Sequence, residues 1–225
     1  LFKEYLGRIS HQMPQLITED RVPMNCSQAM QARLSTRNPG HSLHSYFDYS
    51  IYTGDAVAFH PDGRVKIVLD SQILRDTTPE GKVNLNGASL LTDEDYNILE
   101  GEEFKKGKLE SITLPLSRSE AKINPVWRIV ARDKELHHDY VDYIFTEGKQ
   151  RFGYDTAMRV YLDALTIYPF ARKKPKLIAI NIRPLEDKSQ INSREDFIPW
   201  VGRLIGIAPD ELSVENRQRY FKYQK

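Results

Sequence analysis

Two apolar segments joined by a proline–glycine turn constrain this chain more than any other feature. Asp55-Ala56-Val57-Ala58-Phe59 and Arg64-Val65-Lys66-Ile67-Val68-Leu69 flank His60-Pro61-Asp62-Gly63. Proline fixes φ at the first central turn position, and Gly63 can take the left-handed conformation of a bulge. A loop over residues 61–63 sets Phe59 opposite Val65 and Val57 opposite Ile67, placing these four apolar side chains on one face. A register shifted by one residue would set Val57 and Phe59 opposite Lys66 and Arg64. The spacing predicts a half-buried hairpin.

Around it the pattern alternates between helix and strand signals. Phe2, Leu6 and Ile9 have helical spacing and predict a short helix or arm at the start. Ser27 reads as the N-cap of a helix through Ala29, Met30 and Leu34. Asn38-Pro39-Gly40 marks a turn or loop within residues 36–45, and residues 77–87 are turn-rich. Thr92 caps a short acidic helix over residues 93–99, which Gly101 ends. Residues 109–116 read as a further strand. Ser117 or Ser119 starts a helix, and Asn124-Pro125 starts the next, with proline in the tolerated first turn. Leu136, Tyr140, Tyr143 and Ile144 form the core stripe of a long helix that Gly153 ends. Residues 158–165 fit helix or strand. Lys176 to Ile182 predicts a buried strand bounded by Pro175 and Pro184. Trp200, Val201, Leu204 and Ile205 form another apolar face over residues 197–207, which Pro209 ends. Without a regular strand–helix–strand rhythm, this mixture predicts an α+β fold: a hairpin-containing N-terminal part packed with a more helical C-terminal part. One domain over residues 1–225 is the expectation, with 1–116 (β-rich) and 117–225 (helix-rich) as its possible subdivision.

Composition narrows the function classes. Of 225 residues, 40% are apolar and 28% charged, and the longest uncharged apolar run, Leu177 to Ile182, is far short of a membrane span. No basic-then-apolar leader is seen, although opening on Leu1 leaves room for an upstream segment. Cys26 is the single cysteine, so no internal disulfide can form, and a reducing cytoplasm is the expected location. With 32 basic and 31 acidic side chains, only local charge distribution can inform. Tyrosine, at 12 residues, outnumbers phenylalanine at 9, which suits interfaces as well as core edges.

The motifs that would carry chemistry are weak. Glu135, His138, Asp139 and Asp142 share one arc of a helix, but that arc lies opposite the core stripe and reads as a solvated face. The neighbouring His137 and His138 have no partner motif. Glu147 and Arg151 fall in the apolar arc as an i,i+4 ion pair. Cys26 precedes a helix, where a thiol can be activated, yet a lone cysteine is usually a small core residue. A metal-dependent nuclease or hydrolase could be written with Asp55, Asp70, Glu103 and Lys105. Its acid-x-Lys element recurs at Glu80, Glu120, Glu147 and Glu186, so the pattern discriminates little. Phosphate-binding glycine loops and a Gly-x-Ser-x-Gly elbow are absent from the sequence, and no cofactor is expected.

Two basic, aromatic stretches remain. Residues 168–176 carry Tyr168, Phe170, Arg172, Lys173, Lys174 and Lys176. Residues 217–225 carry Arg217, Arg219, Tyr220, Lys222 and Lys225. Cations neutralise phosphates and rings stack on unpaired bases, so Arg172, Lys173, Lys174, Lys176, Arg217, Arg219, Tyr220 and Lys222 are the candidate partner-binding residues. The expectation is a non-catalytic binding protein with a macromolecular partner, a protein or alternatively a nucleic acid.

Overall fold

The computed structural model describes residues 2–35, 50–77, 89–105, 115–153, 157–162, 174–182, 188–192 and 202–208. In chain order the first half contains β1 (Lys3–Gly7), α1 (Ile9–Thr18), β2 (Val22–Pro23), α2 (Cys26–Ser35), β3 (Ile51–Phe59), β4 (Val65–Val68) and α3 (Gln72–Arg75). Then follow β5 (Ser89–Leu90), α4 (Asp93–Ile98), β6 (Glu102–Phe104), α5 (Arg118–Ile123), α6 (Pro125–Ala131) and α7 (Lys134–Phe152). The last elements are β7 (Ala157–Tyr161), β8 (Lys176–Ile182), β9 (Lys188–Asn192) and β10 (Gly202–Ile207).

The hairpin has the expected register, with Phe59 opposite Val65 and Val57 opposite Ile67. The His60 N–H donates to the Arg64 carbonyl at 2.9 Å, and Gly63 closes the turn with φ +93°. The half-buried expectation needs correction, because both faces are covered. Val57, Phe59, Val65 and Ile67 pack with α2, α6 and α7. Ala56, Ala58 and Val68 pack with α1, α3 and α4. The same alternation runs along β8, where Ile178 and Ile180 face the first layer and Leu177 and Ala179 the second. The fold is α+β: a mixed sheet between two helical layers, with an apolar core on each side. Its strands come from both halves of the chain, in the order β1-β10-β3-β8-β9-β7.

The start, read as a short helix or arm, and the apolar face read over residues 197–207 both supply strands. β1 pairs antiparallel with β10, and Tyr5 rather than Leu6 faces the core, leaving Leu6 61% exposed. β10 runs parallel to the start of β3, with Leu204 in one core and Ile205 and Ile207 in the other. In β10, burial on both faces removes the polar alternation by which a strand is usually recognised. Residues 157–161, ambiguous from pattern alone, form β7. Most of the segment read as a strand over 109–116, and the turns over 36–45, lie outside the described residues; Leu116 bridges to Met158.

Helix ends follow local chemistry. Thr92 and Ser117 make capping boxes with Asp95 and Glu120. Asn124 caps α6 with Pro125 in its first turn, and Gly153 ends α7 at φ +73°. The cap of α2 is Asn25 rather than Ser27. The Gln28 N–H donates to its side chain at 2.9 Å, and the Gln28 side chain accepts from the Asn25 N–H at 2.9 Å. Such reciprocal bonds satisfy two backbone donors that the helix leaves open. After α4, Gly101 is a steric requirement: a Cβ there would lie 2.4 Å from the Ile67 carbonyl oxygen. No helix among the described residues is long and apolar enough to cross a membrane.

The sheet forks at β3. Its first residues pair with β10, its last with β4. Against β8, the residues between Tyr52 and Ala56 form a bulge that breaks the register. The backbone freed by the bulge bonds to two inserted segments instead. The Gly54 N–H donates to the Met24 carbonyl at 2.9 Å, and the Gly54 carbonyl accepts from the Ser71 N–H at 2.8 Å. Bulges re-aim side chains, and here the re-aimed side chain is that of Asp55.

Candidate functional site

Asp55 is fully buried at the fork, and three donors converge on its carboxylate. The Cys26 N–H donates to Oδ2 at 2.8 Å, the Asp70 N–H to Oδ1 at 2.9 Å, and Arg132 Nη2 to Oδ1 at 2.5 Å. Arg132 turns its other terminal nitrogen to Asp70 Oδ2, also at 2.5 Å. Asp70 accepts in addition from the Asn25 side-chain amide at 3.3 Å. One guanidinium thus joins the sheet fork, the corner after β4 and the corner between α6 and α7. A planar fork of donors suits two carboxylates in this way, where a lysine would not.

The electrostatics follow from burial and pairing. Burial pushes the Asp55 carboxyl up from its ordinary value, while Arg132 pulls it back. Burial acts on Asp70 in the same sense, but the bond and charge of Arg132, with help from Arg75, outweigh it and hold that carboxyl below the ordinary range. Burial works against the Arg132 charge, and Asp55 and Asp70 overcome it, so the guanidinium is held more firmly than usual. The Cys26 thiol, buried beside this cluster 3.4 Å from Thr53 Oγ1, is pushed well up, first by burial and then by the Asp55 charge. Cys26 is therefore a core residue; a nucleophile needs the thiolate that this setting suppresses.

The carboxylates singled out for metal chemistry separate. Asp55 and Asp70 do meet, but on Arg132. Glu103 lies across the sheet: its strand pairs it with Lys66, whose neighbour across the hairpin is Ala58, on the opposite face from Val57. Glu103 lies 3.9 Å from Lys66 and 3.6 Å from Arg64, and Lys105 is exposed beyond the strand end. On α7, Asp142 is held by Arg118 and Lys122 of α5, each at 2.7 Å. His137 is buried and bonds through Nε2 to the Ala121 carbonyl at 3.0 Å. No group of three or more potential metal ligands forms among the described residues.

Of the candidate partner-binding residues, Lys174 is exposed immediately before β8. Lys176 is 3% exposed, within the strand, where it pairs with Phe59 and Leu90. Arg172, Lys173, Arg217, Arg219, Tyr220 and Lys222 lie outside the described residues, as does the side chain of Arg151. Sequence reasoning missed Arg132. Its signal was local: Asp133 caps α7 directly after α6 ends at Ala131, so the residue between must turn the chain within one position.

No protein-family model matches the chain, and no curated protein matches it. Among solved structures the chain is similar to a protein of Nanoarchaeota described as accommodating massive sequence variation by the C-type lectin fold. The match has a TM-score of 0.63 and 16% identity, over 92% of this chain and 97% of that one. At such identity the likeness is one of architecture: this chain's fold is similar to the C-type lectin fold.

Proposed function

We propose that this chain is a non-catalytic binding protein that presents a macromolecular partner with a surface built on a braced scaffold. The observation that carries the reading is the fold likeness itself: architecture retained across nearly the whole chain at 16% identity, in a fold described as accommodating massive sequence variation. A scaffold suits that use when its braces are internal, because the surface can then change without loss of the fold. The Asp55–Arg132–Asp70 cluster is such a brace, as is Arg33, which donates to Tyr140 Oη at 2.6 Å and to the Ile182 carbonyl at 3.1 Å. The test is isolation of the chain from its native source, with scattering and crosslinking to define its mass. A stoichiometric complex or defined oligomer is the expected result. A monodisperse monomer without a co-purifying partner would overturn the reading.

A second reading takes nucleic acid as the partner. It is supported by the exposed Lys174 within the basic stretch 168–176, and by the similar composition of 217–225.

A further inference from the structure

Asp70 and Arg132 are two of the three non-glycine residues with positive φ among the described residues, at 49° and 64°. Side chains with a Cβ hold this conformation at a cost, which surrounding contacts must offset. Each residue forms a corner, Asp70 between β4 and α3 and Arg132 between α6 and α7. The corners are 62 residues apart in sequence, yet the two side chains that form them bond directly to each other. Backbone bonds also hold each corner: the Ser71 N–H donates to the Gly54 carbonyl of β3, and the Arg132 N–H to the Arg128 and Ile129 carbonyls in the last turn of α6.

We propose that the Asp70–Arg132 pair is a latch that holds both left-handed corners at once, so that they open together as one unit while the sheet stays folded. The pair offsets two local costs with one contact, and losing it exposes both corners to their own backbone preference. Asp55 ties each corner to the sheet, accepting from Arg132 Nη2 and from the Asp70 N–H, whereas the Asp70 carboxylate bonds the two corners to each other. The unit that opens comprises residues 69–77 and the α6–α7 junction around residues 130–137.

Native-state amide exchange of the full chain at increasing sub-denaturing urea tests this. The Asp70 and Ser71 amides and the Arg132 and His137 amides should share one opening free energy below that of the β3 and β8 amides. Separate isotherms for the two corners, or one coincident with the sheet, would overturn the proposal. Asp70→Asn keeps the shape and tolerates positive φ, and should speed exchange at both corners on the order of tenfold. Asp70→Gly relieves strain at its own corner, so protection should return at Ser71 and stay lost at Arg132. Acceleration confined to the mutated corner in both variants would show that no latch exists.

Discussion

The Lys66 ammonium lies 4.8 Å from the centroid of the Tyr96 ring and donates, at 2.9 Å, to the carbonyl oxygen of the same residue. It also donates to the Asn97 and Leu99 carbonyls, at 3.3 and 3.1 Å. These are the last carbonyls of α4, which the helix cannot satisfy and where its dipole is negative. Arg64 lies over the same ring at 5.1 Å. A lysine on the strand thus caps a helix that packs over it. Lys66→Met keeps the stem and removes the donor, leaving the helix end open beneath the hairpin. We expect a loss of about 2 kcal/mol in urea unfolding, the scale of bonds to a charged group. Far-UV circular dichroism should change little, since α4 is short.

The buried thiol supplies a kinetic prediction. Cys26 is fully buried, and its thiol is pushed well above the ordinary range by burial and by Asp55. An aromatic disulfide reagent should label the folded protein only through opening, at a rate that rises steeply with urea. Asp55→Ala removes the carboxylate that accepts the Cys26 N–H and pairs with Arg132, leaving a buried cation with one partner. Breaking a buried pair costs about 3–5 kcal/mol, so labelling should accelerate by at least about a hundredfold. Fast labelling of the unmodified chain would contradict the structure around α2.

His137 gives a pH dependence with a definite sign. Its folded-state pKa is lowered, first by burial, with the bond to the Ala121 carbonyl opposing in part. The unfolded chain therefore binds a proton at higher pH than the folded one. The stability tied to neutral His137 is present above the ordinary histidine value of about 6.5 and is lost as pH falls through the folded pKa. Urea midpoints should decline over that interval, and His137→Gln should flatten the decline while keeping a donor for Ala121. An unchanged slope in the variant would assign the acid sensitivity elsewhere.

What the sequence made legible was local chemistry. The hairpin register followed from Pro61, Gly63 and two residue parities, and Thr92, Asn124 and Gly153 set helix ends within a few residues of themselves. Doubly buried strands were harder. Leu204 and Ile205 are adjacent yet enter different cores, so β10 shows apolar residues without alternation and mimics a helix face. At the start, Phe2, Leu6 and Ile9 have helical spacing by coincidence: Tyr5 of β1 and Ile9 of α1 pack in the core, while Phe2 and Leu6 are exposed. Asp55 and Asp70 stood out as carboxylates, but their partner is 77 and 62 residues away, and no local pattern links them. Contacts set by topology leave no periodic trace, which is why the pair looked like half of a metal site rather than a completed ion cluster.

The basic stretches yield the last prediction, on the nucleic-acid reading. Residues 217–225 contain Arg217, Arg219, Lys222 and Lys225, interleaved with Tyr220, Phe221 and Tyr223. If single-stranded oligonucleotides bind there, each phosphate contact adds about 0.7 to the slope of log affinity against log salt. Truncation after residue 216 should lower that slope and weaken binding at low salt, since stacking rings leave together with the charges. Lys174→Ala, in the other stretch, should reduce the slope by about one contact's worth if both stretches track the same strand. Lys176→Ala serves as a contrast, because a side chain buried in β8 cannot meet a phosphate without opening the sheet. Its effect should appear in the unfolding midpoint and leave the salt slope unchanged. Binding that is insensitive to both salt and truncation would exclude these stretches and favour a protein partner.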